Sequence, residues 1–375
     1  MNYTQIHFES DRHSTLHFQT GVSLHSHTLH SKESLDFIYK FARSILPVRI
    51  ALDHGAAHYE RLHGTRLDLQ RGYWTPPLSP QQAWRLEMGQ IQDRFQMHGL
   101  VSLSDHDSID APMSLQLLEG CGVVPVSVEW TVPFGGTFFH IGVHNLPGES
   151  ARRTMAALAA FTNQPKRPHL TEILHGLASD PQVLIVFNHP NWDEKGIGEQ
   201  AHRETARQFA ATYGCYLHAF ELNGLRPWAE NRTVLELARM FEKPLVAGGD
   251  RHATEPNTLL NLTNTRTFAE FVQEVRDGVS DVLITNQYRE PLSMRILHSL
   301  EEILGYREDH VYGWKTWSDR AFYTCDDGVT RSLREQWGEA PLAVRLFTKG
   351  VDLLRNEQFR HAFRLAFAKR EELVL

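Results

Sequence analysis

The sequence predicts an α/β barrel followed by a C-terminal helical extension. Apolar runs typical of strands alternate with helix-like segments from about residue 20 to residue 285. The 375 residues also exceed the roughly 250 that a β/α barrel needs, which leaves room for an appended segment. We therefore expect a barrel over residues 1–289, with an insertion at about 47–78, and a helical extension over residues 290–375.

The composition is that of an ordered globular protein. With 41% hydrophobic and 22% charged residues, the chain can bury a large core. A formal charge of −7 argues against a broad nucleic-acid surface and leaves only a short oligonucleotide as an alternative. The three cysteines form no C-x-x-C motif, which favours reduced thiols. The sequence shows no signal peptide and no membrane-length apolar run, so we expect a cytoplasmic protein without membrane association.

The first elements lead into the barrel. Alternating apolar residues over 6–27 predict an N-terminal hairpin, and helical spacing from Ser34 predicts a first helix that ends before Pro47. Residues 47–80 show no clean period and exceed a usual loop length. They are interpreted either as a lid over the site or as a surface excursion packed by Tyr73 and Trp74.

The central elements follow from caps, glycines and apolar runs. Ser79–Gln82 has the chemistry of a helix start, and Gly99 ends that helix after about His98. The Gly135–Gly136 pair predicts a turn between two antiparallel strands. The predicted strands are residues 100–106, 122–129, 137–144, 183–189, 216–222, 245–250 and 282–285. The predicted helices are residues 110–120, 149–179 with a break at Pro165 and Pro168, 229–241 and 268–277.

Beyond about residue 290 the sequence predicts only helices. They cover residues 291–304 and 341–372. The second has an apolar stripe made of Leu342, Leu346, Val351, Leu354, Phe359, Phe363 and Phe367. This stripe is interpreted as a face that packs on the barrel or on a second subunit of a homo-oligomer.

The ends of the predicted strands carry residues that bind metals. His25 and His27 stand two apart on a strand, so both imidazoles can face one ion. Further strand ends carry the same residue types: Asp105, His106, Glu129, His140, His189, Asp250 and His252. Because strand ends converge on one rim of a β/α barrel, these residues predict one metal site. For His140 and His189, a hydrogen-bonded core histidine is the alternative.

These motifs, in this order, resemble a known family. The series H-x-H-T, D-H-D, V-E, H-I-x-G, N-H-P and G-D-x-H is similar to that of the PHP (polymerase and histidinol phosphatase) family of metal-dependent phosphoesterases. The resemblance spans residues 20–285. It implies a distorted (β/α)7-type barrel with two or three divalent metal ions at the carboxyl ends of its strands.

The resemblance also implies how the ligands are shared among the ions. The first ion would take His25, His27, Glu129 and Asp250. The second would take Glu129, His140 and His189, with Glu129 as a bridge, because a carboxylate has two oxygens. The third would take His106, His252 and Glu33, where Glu33 stands in a loop in which many members place Asp or His. Mixed nitrogen and oxygen ligands favour Zn²⁺, Mn²⁺ or Fe²⁺.

Other residues are candidates for catalysis and for binding substrate. Asp105, His140 and Arg251 are the catalytic candidates, with Asp105 as a hydrogen-bond acceptor or proton carrier. Candidates for contacting substrate are Arg226, Arg232, Arg251 and Trp228. The arginines would bind a phosphate through paired hydrogen bonds from their planar guanidinium groups, or else form salt bridges at the rim. Trp228, like Trp192, would stack on a ring or simply form the wall.

The resulting functional prediction is a metal-dependent phosphoesterase. It would hydrolyse a phosphate ester of a small molecule or nucleotide through a metal-activated hydroxide. Two alternatives stay open. One is a metal-dependent hydrolase of C–N or C–O bonds on the same site, and the other is a regulatory module that binds metal without turnover.

Overall fold

The computed structural model describes residues 3–11, 15–35, 46–64, 68, 71–118, 121, 123–306, 312–338, 340, 342–353, 356, 358 and 359. The strands are β1 (Tyr3–Phe8), β2 (Thr20–Ser23), β3 (Glu33–Ser34), β4 (Gly72–Trp74), β5 (His98–Val101), β6 (Val126–Phe134), β7 (Thr137–Leu146), β8 (Leu184–Asn188), β9 (Ala219–Asn223), β10 (Leu245–Gly248), β11 (Leu259–Thr263), β12 (Val279–Ile284), β13 (Ala321–Thr324) and β14 (Thr330–Ser332). The α-helices are α1 (Leu46–His63), α2 (Pro80–Gly89), α3 (Asp110–Leu115), α4 (Gly148–Asn163), α5 (Arg167–Ser179), α6 (Glu199–Tyr213), α7 (Trp228–Met240), α8 (Phe268–Arg276), α9 (Leu292–Gly305), α10 (Leu333–Trp337) and α11 (Leu342–Asp352).

The described residues form two compact units. The first unit comprises the described parts of Met1–His30 and Leu78–Leu292, and the second those of Ser31–Pro77 and Ser293–Lys369. Both mix helices with strands. Among the helices described, none has the length and hydrophobicity that crossing a membrane requires.

The first unit contains two five-stranded sheets. Their strand orders are β1-β12-β11-β2-β5 and β10-β9-β8-β7-β6. Parallel pairs include β2 with β5 and β9 with β10, whereas β6, β7 and β8 pair antiparallel. Two isolated parallel bridges connect the sheets. Ser26 pairs with Arg251 beyond the ends of β2 and β10, and His106, beyond the end of β5, pairs with Glu129 inside β6. The carboxyl ends of β2 and β10 therefore lie side by side, and that of β5 points beside the middle of β6.

The core of the first unit is apolar and rich in aromatic rings. All five residues of β8 and of β9 are buried, as expected for strands that are covered on both faces. Phe187 of β8 meets Phe220 of β9 edge to face, with ring centroids 5.5 Å apart, and Phe209 of α6 packs on Phe187. Aromatic pairs in this geometry add about 0.5–1.5 kcal/mol beyond the burial of their surface. This rigid core fixes the strand ends that carry the polar residues.

The second unit is built on a four-stranded antiparallel sheet. The strand order is β14-β13-β4-β3, with Phe322 opposite Tyr73. Tyr59 of α1 and Tyr323 of β13 are buried together, with ring centroids 5.2 Å apart. Trp74 of β4 joins this core.

Several predicted elements differ from the observed ones. The N-terminal hairpin is wrong, because β1 pairs in parallel with β12 while β2 pairs with β11 and β5. Residues 47–78 contain the 18-residue helix α1, which the sequence did not reveal because its described side chains are mostly exposed around buried Gly55 and Tyr59. Strand β11 was not predicted. The prediction of a purely helical extension after residue 290 is wrong, because β13 and β14 lie within it and pair in the sheet of the second unit. The predicted first helix over 36–45 and Phe363 and Phe367 of the last helix lie outside the described residues.

Candidate metal centre

The first half of the site is the backbone around the H-x-H motif. The segment that follows β2 lies beside the segment that follows β10, and the two exchange backbone hydrogen bonds. Asp250 N–H donates to the carbonyl of His25 at 2.9 Å, and His27 N–H donates to the carbonyl of Arg251 at 2.8 Å. Both histidine side chains are buried. The two imidazoles and the Asp250 carboxylate are thus held in one cavity by main-chain contacts.

The Glu129 carboxylate, on β6, lies at the centre of the cavity and is fully buried. Three imidazoles surround its Oε2 atom. His25 Nε2 lies at 2.9 Å, His27 Nε2 at 3.4 Å and His106 Nδ1 at 3.3 Å. His25 and His27 also bring their Nε2 atoms within 3.1 Å of each other.

The other oxygen of Glu129 faces a second pair of histidines. His189 Nε2 lies 3.0 Å from Oε1 and His140 Nδ1 lies 3.7 Å from it. The Asn188 side-chain amide donates to the same oxygen at 3.0 Å. Because the two oxygens of Glu129 face different histidines, this carboxylate has the geometry of a bridge between two cation sites.

Asp250 and His252 complete the cavity on the β10 side. Asp250 Oδ1 lies 3.3 Å from His27 Nε2 and 3.8 Å from His25 Nε2. The His252 ring lies against the His27 ring, with centroids 4.5 Å apart. His252 Nδ1 donates to the carbonyl of Asp250 at 2.9 Å, which makes Nε2 the unprotonated nitrogen when the ring is neutral.

Two of these residues have an unusual backbone. His189 has φ of 26° and Asp250 has φ of 53°, both in the left-handed region that residues other than glycine rarely adopt. His189 directly follows the buried strand β8, and Asp250 lies two residues beyond the end of β10. Strained backbone of this kind costs about 1–3 kcal/mol and clusters at functional sites. Here it turns two candidate metal-ligand side chains into the cavity.

The electrostatics of the cavity favour cations. Burial by itself would lower the pKa of the His25 imidazole, but three buried carboxylates around the ring raise it well above its ordinary value. These carboxylates belong to Glu129, Glu221 and Asp250. Burial would raise the pKa of the Glu129 carboxyl, but the neighbouring histidines, led by His25, hold it well below its usual range. Three carboxylates out of water produce a negative field that divalent cations would offset.

The donor set fits transition-metal ions. One group of donor atoms, from His25, His27 and Glu129, lies within 4.8 Å of one another, and so does a second group from His106, Glu129 and His140. Nitrogen and carboxylate oxygen together suit Zn²⁺, Mn²⁺ or Fe²⁺ better than Ca²⁺ or Mg²⁺. The buried His and Glu groups can therefore hold metal.

Four predicted site residues have other surroundings. Asp105 is fully buried and accepts hydrogen bonds from Thr28 N–H at 2.5 Å and from the Thr28 hydroxyl at 2.7 Å. Its geometry is that of an acceptor that fixes the loop after β2, which favours that interpretation over a proton carrier. Trp228 is buried and meets Tyr288 edge to face, so it forms a wall. Arg232 is exposed on α7.

Arg251, the fourth, forms a buried ion pair. Its Nη1 lies 3.0 Å from Oε1 of the fully buried Glu87, and its Nε donates to the carbonyl of Glu255. Arg251 is 4% exposed, and its guanidinium is engaged by Glu87 and by the Glu255 carbonyl. The structure therefore favours the salt bridge over a phosphate-binding or catalytic role for Arg251.

Arg226 has the surroundings expected of a binding residue. Its guanidinium carbon lies 3.6 Å from the centroid of the Trp192 ring, and its Nη2 lies 3.7 Å from Asp250 Oδ2. The guanidinium is within cation–π distance of the indole, in a residue that is 8% exposed. Trp192 follows the N-H-P-N segment that carries His189. The two side chains thus stand directly beside the candidate ligands.

Sequence reasoning missed three buried polar residues at the site. Asn188 donates to Glu129, Glu221 contacts His25, and Asn223 donates to both Glu221 and Asp250. One signal was available, because Glu221 is a charged residue inside the apolar strand segment Ala219–Asn223. Such a carboxylate is costly to bury unless it has partners.

Glu33 belongs to the second unit. It lies in β3, is 8% exposed, and accepts a hydrogen bond from the Ser31 hydroxyl at 2.6 Å. Glu33 thus lies in a short strand, where a loop was expected. The role of Glu33 as a metal ligand stays a prediction.

Comparisons with known proteins give only weak similarities. No protein-family model and no curated protein matches the sequence. Among solved structures, PsfC from Pseudomonas syringae is 15% identical with a TM-score of 0.37, over 58% of this chain and 88% of its own. An amidohydrolase from Chromobacterium violaceum, with bound sulfate and no metal, is 13% identical with a TM-score of 0.34, over 62% of this chain and 87% of its own. A Bifidobacterium adolescentis protein assigned as a metal-dependent phosphoesterase is 13% identical with a TM-score of 0.31, over 54% of this chain and 92% of its own. At these scores the similarities carry no argument about function.

Proposed function

We propose that this protein is a metal-dependent phosphoesterase of the PHP kind, acting on a phosphate ester of a small molecule or nucleotide. The observation that carries the proposal is the position of Glu129. Its two oxygens lie within 3.7 Å of five histidines, three on one side and two on the other. A centre with two ions that share one carboxylate is the arrangement used to stabilise both the attacking and the leaving oxygen of a displacement.

The strand connections support a barrel as the scaffold. The order β2-β5-β6-β7-β8-β9-β10 returns to β2 if the two isolated bridges are counted as connections. We infer a distorted seven-stranded barrel in which β2, β5, β8 and β10 end at the site, while Glu129 and His140 reach it from within β6 and β7. This agrees with the general placement of active sites on the carboxyl-end face of β/α barrels.

Residues of this chain would hold the ions in two main groups. His25, His27, Asp250 and Oε2 of Glu129 would bind one ion, and His140, His189 and Oε1 of Glu129 a second. His106 and His252 line the same cavity and are the candidates for a third. Bound divalent ions would supply Lewis acidity and lower the pKa of a water molecule.

Arg226 and Trp192 support a phosphate ester as the substrate. The guanidinium lies beside the Asp250 carboxylate and over the Trp192 indole ring. In this position it can donate two parallel hydrogen bonds to phosphate oxygens, which a C–N bond hydrolase would not need. The remaining arginine candidates do not share this geometry, since Arg251 is paired with Glu87 and Arg232 is exposed.

The proposal is tested by incubating protein loaded with Mn²⁺ or Zn²⁺ with a panel of nucleotides, bisphosphates and sugar phosphates. We expect release of inorganic phosphate from at least one member of the panel. A parallel panel of amides and N-acyl compounds is the control. Hydrolysis confined to the amide panel would support the C–N hydrolase, and inactivity on both panels with metal bound would support a regulatory module.

A further inference from the structure

Glu221 is a buried charge that the proposed ligand set does not use. It lies in the middle of β9, where every residue is buried, and is itself 2% exposed. An ionised carboxylate is stable in such a place only if its oxygens are fully paired. The contacts of Glu221 therefore indicate its role.

Each oxygen of Glu221 has a partner in the candidate metal centre. Oε1 lies 2.6 Å from Nδ1 of His25. Oε2 accepts hydrogen bonds from the backbone N–H of His189 at 2.9 Å and from the Asn223 side chain at 3.0 Å. The same Asn223 amide also donates to Oδ2 of Asp250 at 3.1 Å. Glu221 and Asn223 thus contact three candidate ligands, which are His25, His189 and Asp250.

We infer that Glu221 is a positioning residue for the metal centre. An acceptor on Nδ1 keeps a proton on that atom, so Nε2, which faces Glu129 Oε2 and the cavity, is the nitrogen that would give its lone pair to a metal ion. The hydrogen bond to His189 N–H holds the strained backbone that presents the His189 ring. This inference rests on the proposed metal centre but not on the identity of the substrate.

Gly248 provides an independent sign that the site is built around this carboxylate. Gly248 ends β10, next to β9, and a Cβ atom added there would overlap the Glu221 carboxylate. Its backbone is not in the left-handed region, so alanine would cause no backbone strain. A glycine at position 248 therefore leaves room for the Glu221 carboxylate.

The test measures Co²⁺ binding to the full-length apo protein and its variants. Outer partners of metal ligands contribute roughly 10- to 100-fold in affinity. We therefore expect Glu221→Gln, which keeps the volume but cannot accept from both sides, to raise the Kd of the tightest Co²⁺ site by about that factor. Glu274→Gln is the matched control, because Glu274 is a partly buried carboxylate that pairs with Thr263 and should leave Co²⁺ binding unchanged.

The Gly248→Ala variant separates positioning from general damage to the fold. In the parent it should weaken Co²⁺ binding by pushing the Glu221 carboxylate away from His25. In a Glu221→Ala background, where the space is free, the same substitution should add no further loss. An unchanged Co²⁺ Kd in folded Glu221→Gln, or equal losses from Gly248→Ala in both backgrounds, would overturn the inference. Inactivity on the phosphate panel with these Co²⁺ effects intact would count against the proposed substrate alone.

Discussion

The Glu129→Gln substitution tests the bridging role most sharply. Glutamine keeps the shape of the side chain but has one acceptor oxygen and no charge. In the structure, Oε2 faces three histidines and Oε1 faces two, with the shortest distances at 2.9 and 3.0 Å. Whichever way the amide is oriented, its NH₂ group replaces an oxygen on one side, so both candidate ion sites lose charge and one loses a ligand.

The size of the effect follows from that loss. A charge-assisted contact contributes about 1.5–3 kcal/mol, which corresponds to roughly 10- to 100-fold in affinity for each ion. We expect the variant to retain less than half of the parent's Zn²⁺ after dialysis against a buffered low concentration of the metal. Phosphoesterase activity should be lost with the metal.

The assay is metal content by inductively coupled plasma mass spectrometry, with circular dichroism melting to show that the apo variant is folded. Glu274→Gln again serves as the control for removing a carboxylate elsewhere in the same unit. If Glu129→Gln keeps the parent's metal content and activity, the carboxylate does not bridge two ions and the dinuclear proposal is wrong.

Three further outcomes are expected. Arg226→Ala should lower kcat/KM for the phosphate substrate by about 10- to 100-fold without changing metal content, and equal kinetics in the two proteins would exclude a phosphate contact. Arg251→Met should leave the buried Glu87 carboxylate without a counter-charge, and so lower the free energy of unfolding in urea by about 3–5 kcal/mol. An unchanged free energy of unfolding would contradict a stabilising ion pair between Arg251 and Glu87. Burial lowers the pKa of His144 from 6.5 to about 3, so the stability it contributes is complete above about pH 6.5 and is lost below it by about 1.4 kcal/mol per pH unit. In apo protein, His144→Gln should therefore show a shallower fall in unfolding free energy from pH 6.5 to pH 4.5, and parallel curves would contradict the buried neutral histidine.

Local sequence patterns indicated the candidate metal-ligand residues. An apolar run that ends in His, Asp or Glu predicts a strand end, and the strand ends meet in the first unit. His25, Glu129 and Asp250 are separated by more than a hundred residues in the sequence, yet lie in one cavity. Parallel pairing aligns the carboxyl ends of strands such as β2 with β5 and β9 with β10, whereas Glu129 reaches the cavity from within β6.

Features that depend on tertiary pairing were not predictable in the same way. β1 alternates like one arm of a hairpin, but its partner is β12, more than 270 residues away. Helix α1 lacks a readable apolar stripe because few of its described side chains are buried. For Arg251, the sequence could not distinguish a phosphate contact from a salt bridge, since the deciding partner, Glu87, lies on a distant helix. The role of Glu221 could not be predicted, because the sequence around it does not indicate which histidine its carboxylate contacts.

Anomalous diffraction from crystals of Zn²⁺-loaded protein tests the central claim most directly. Data collected on both sides of the zinc absorption edge locate the ions without any assumption about the reaction. We expect two peaks on either side of Glu129, each about 2.0–2.2 Å from one of its oxygens. The first should also lie against His25, His27 and Asp250, and the second against His189 and His140. A fully loaded crystal with no anomalous peak within bonding distance of Glu129 would contradict the proposed metal centre.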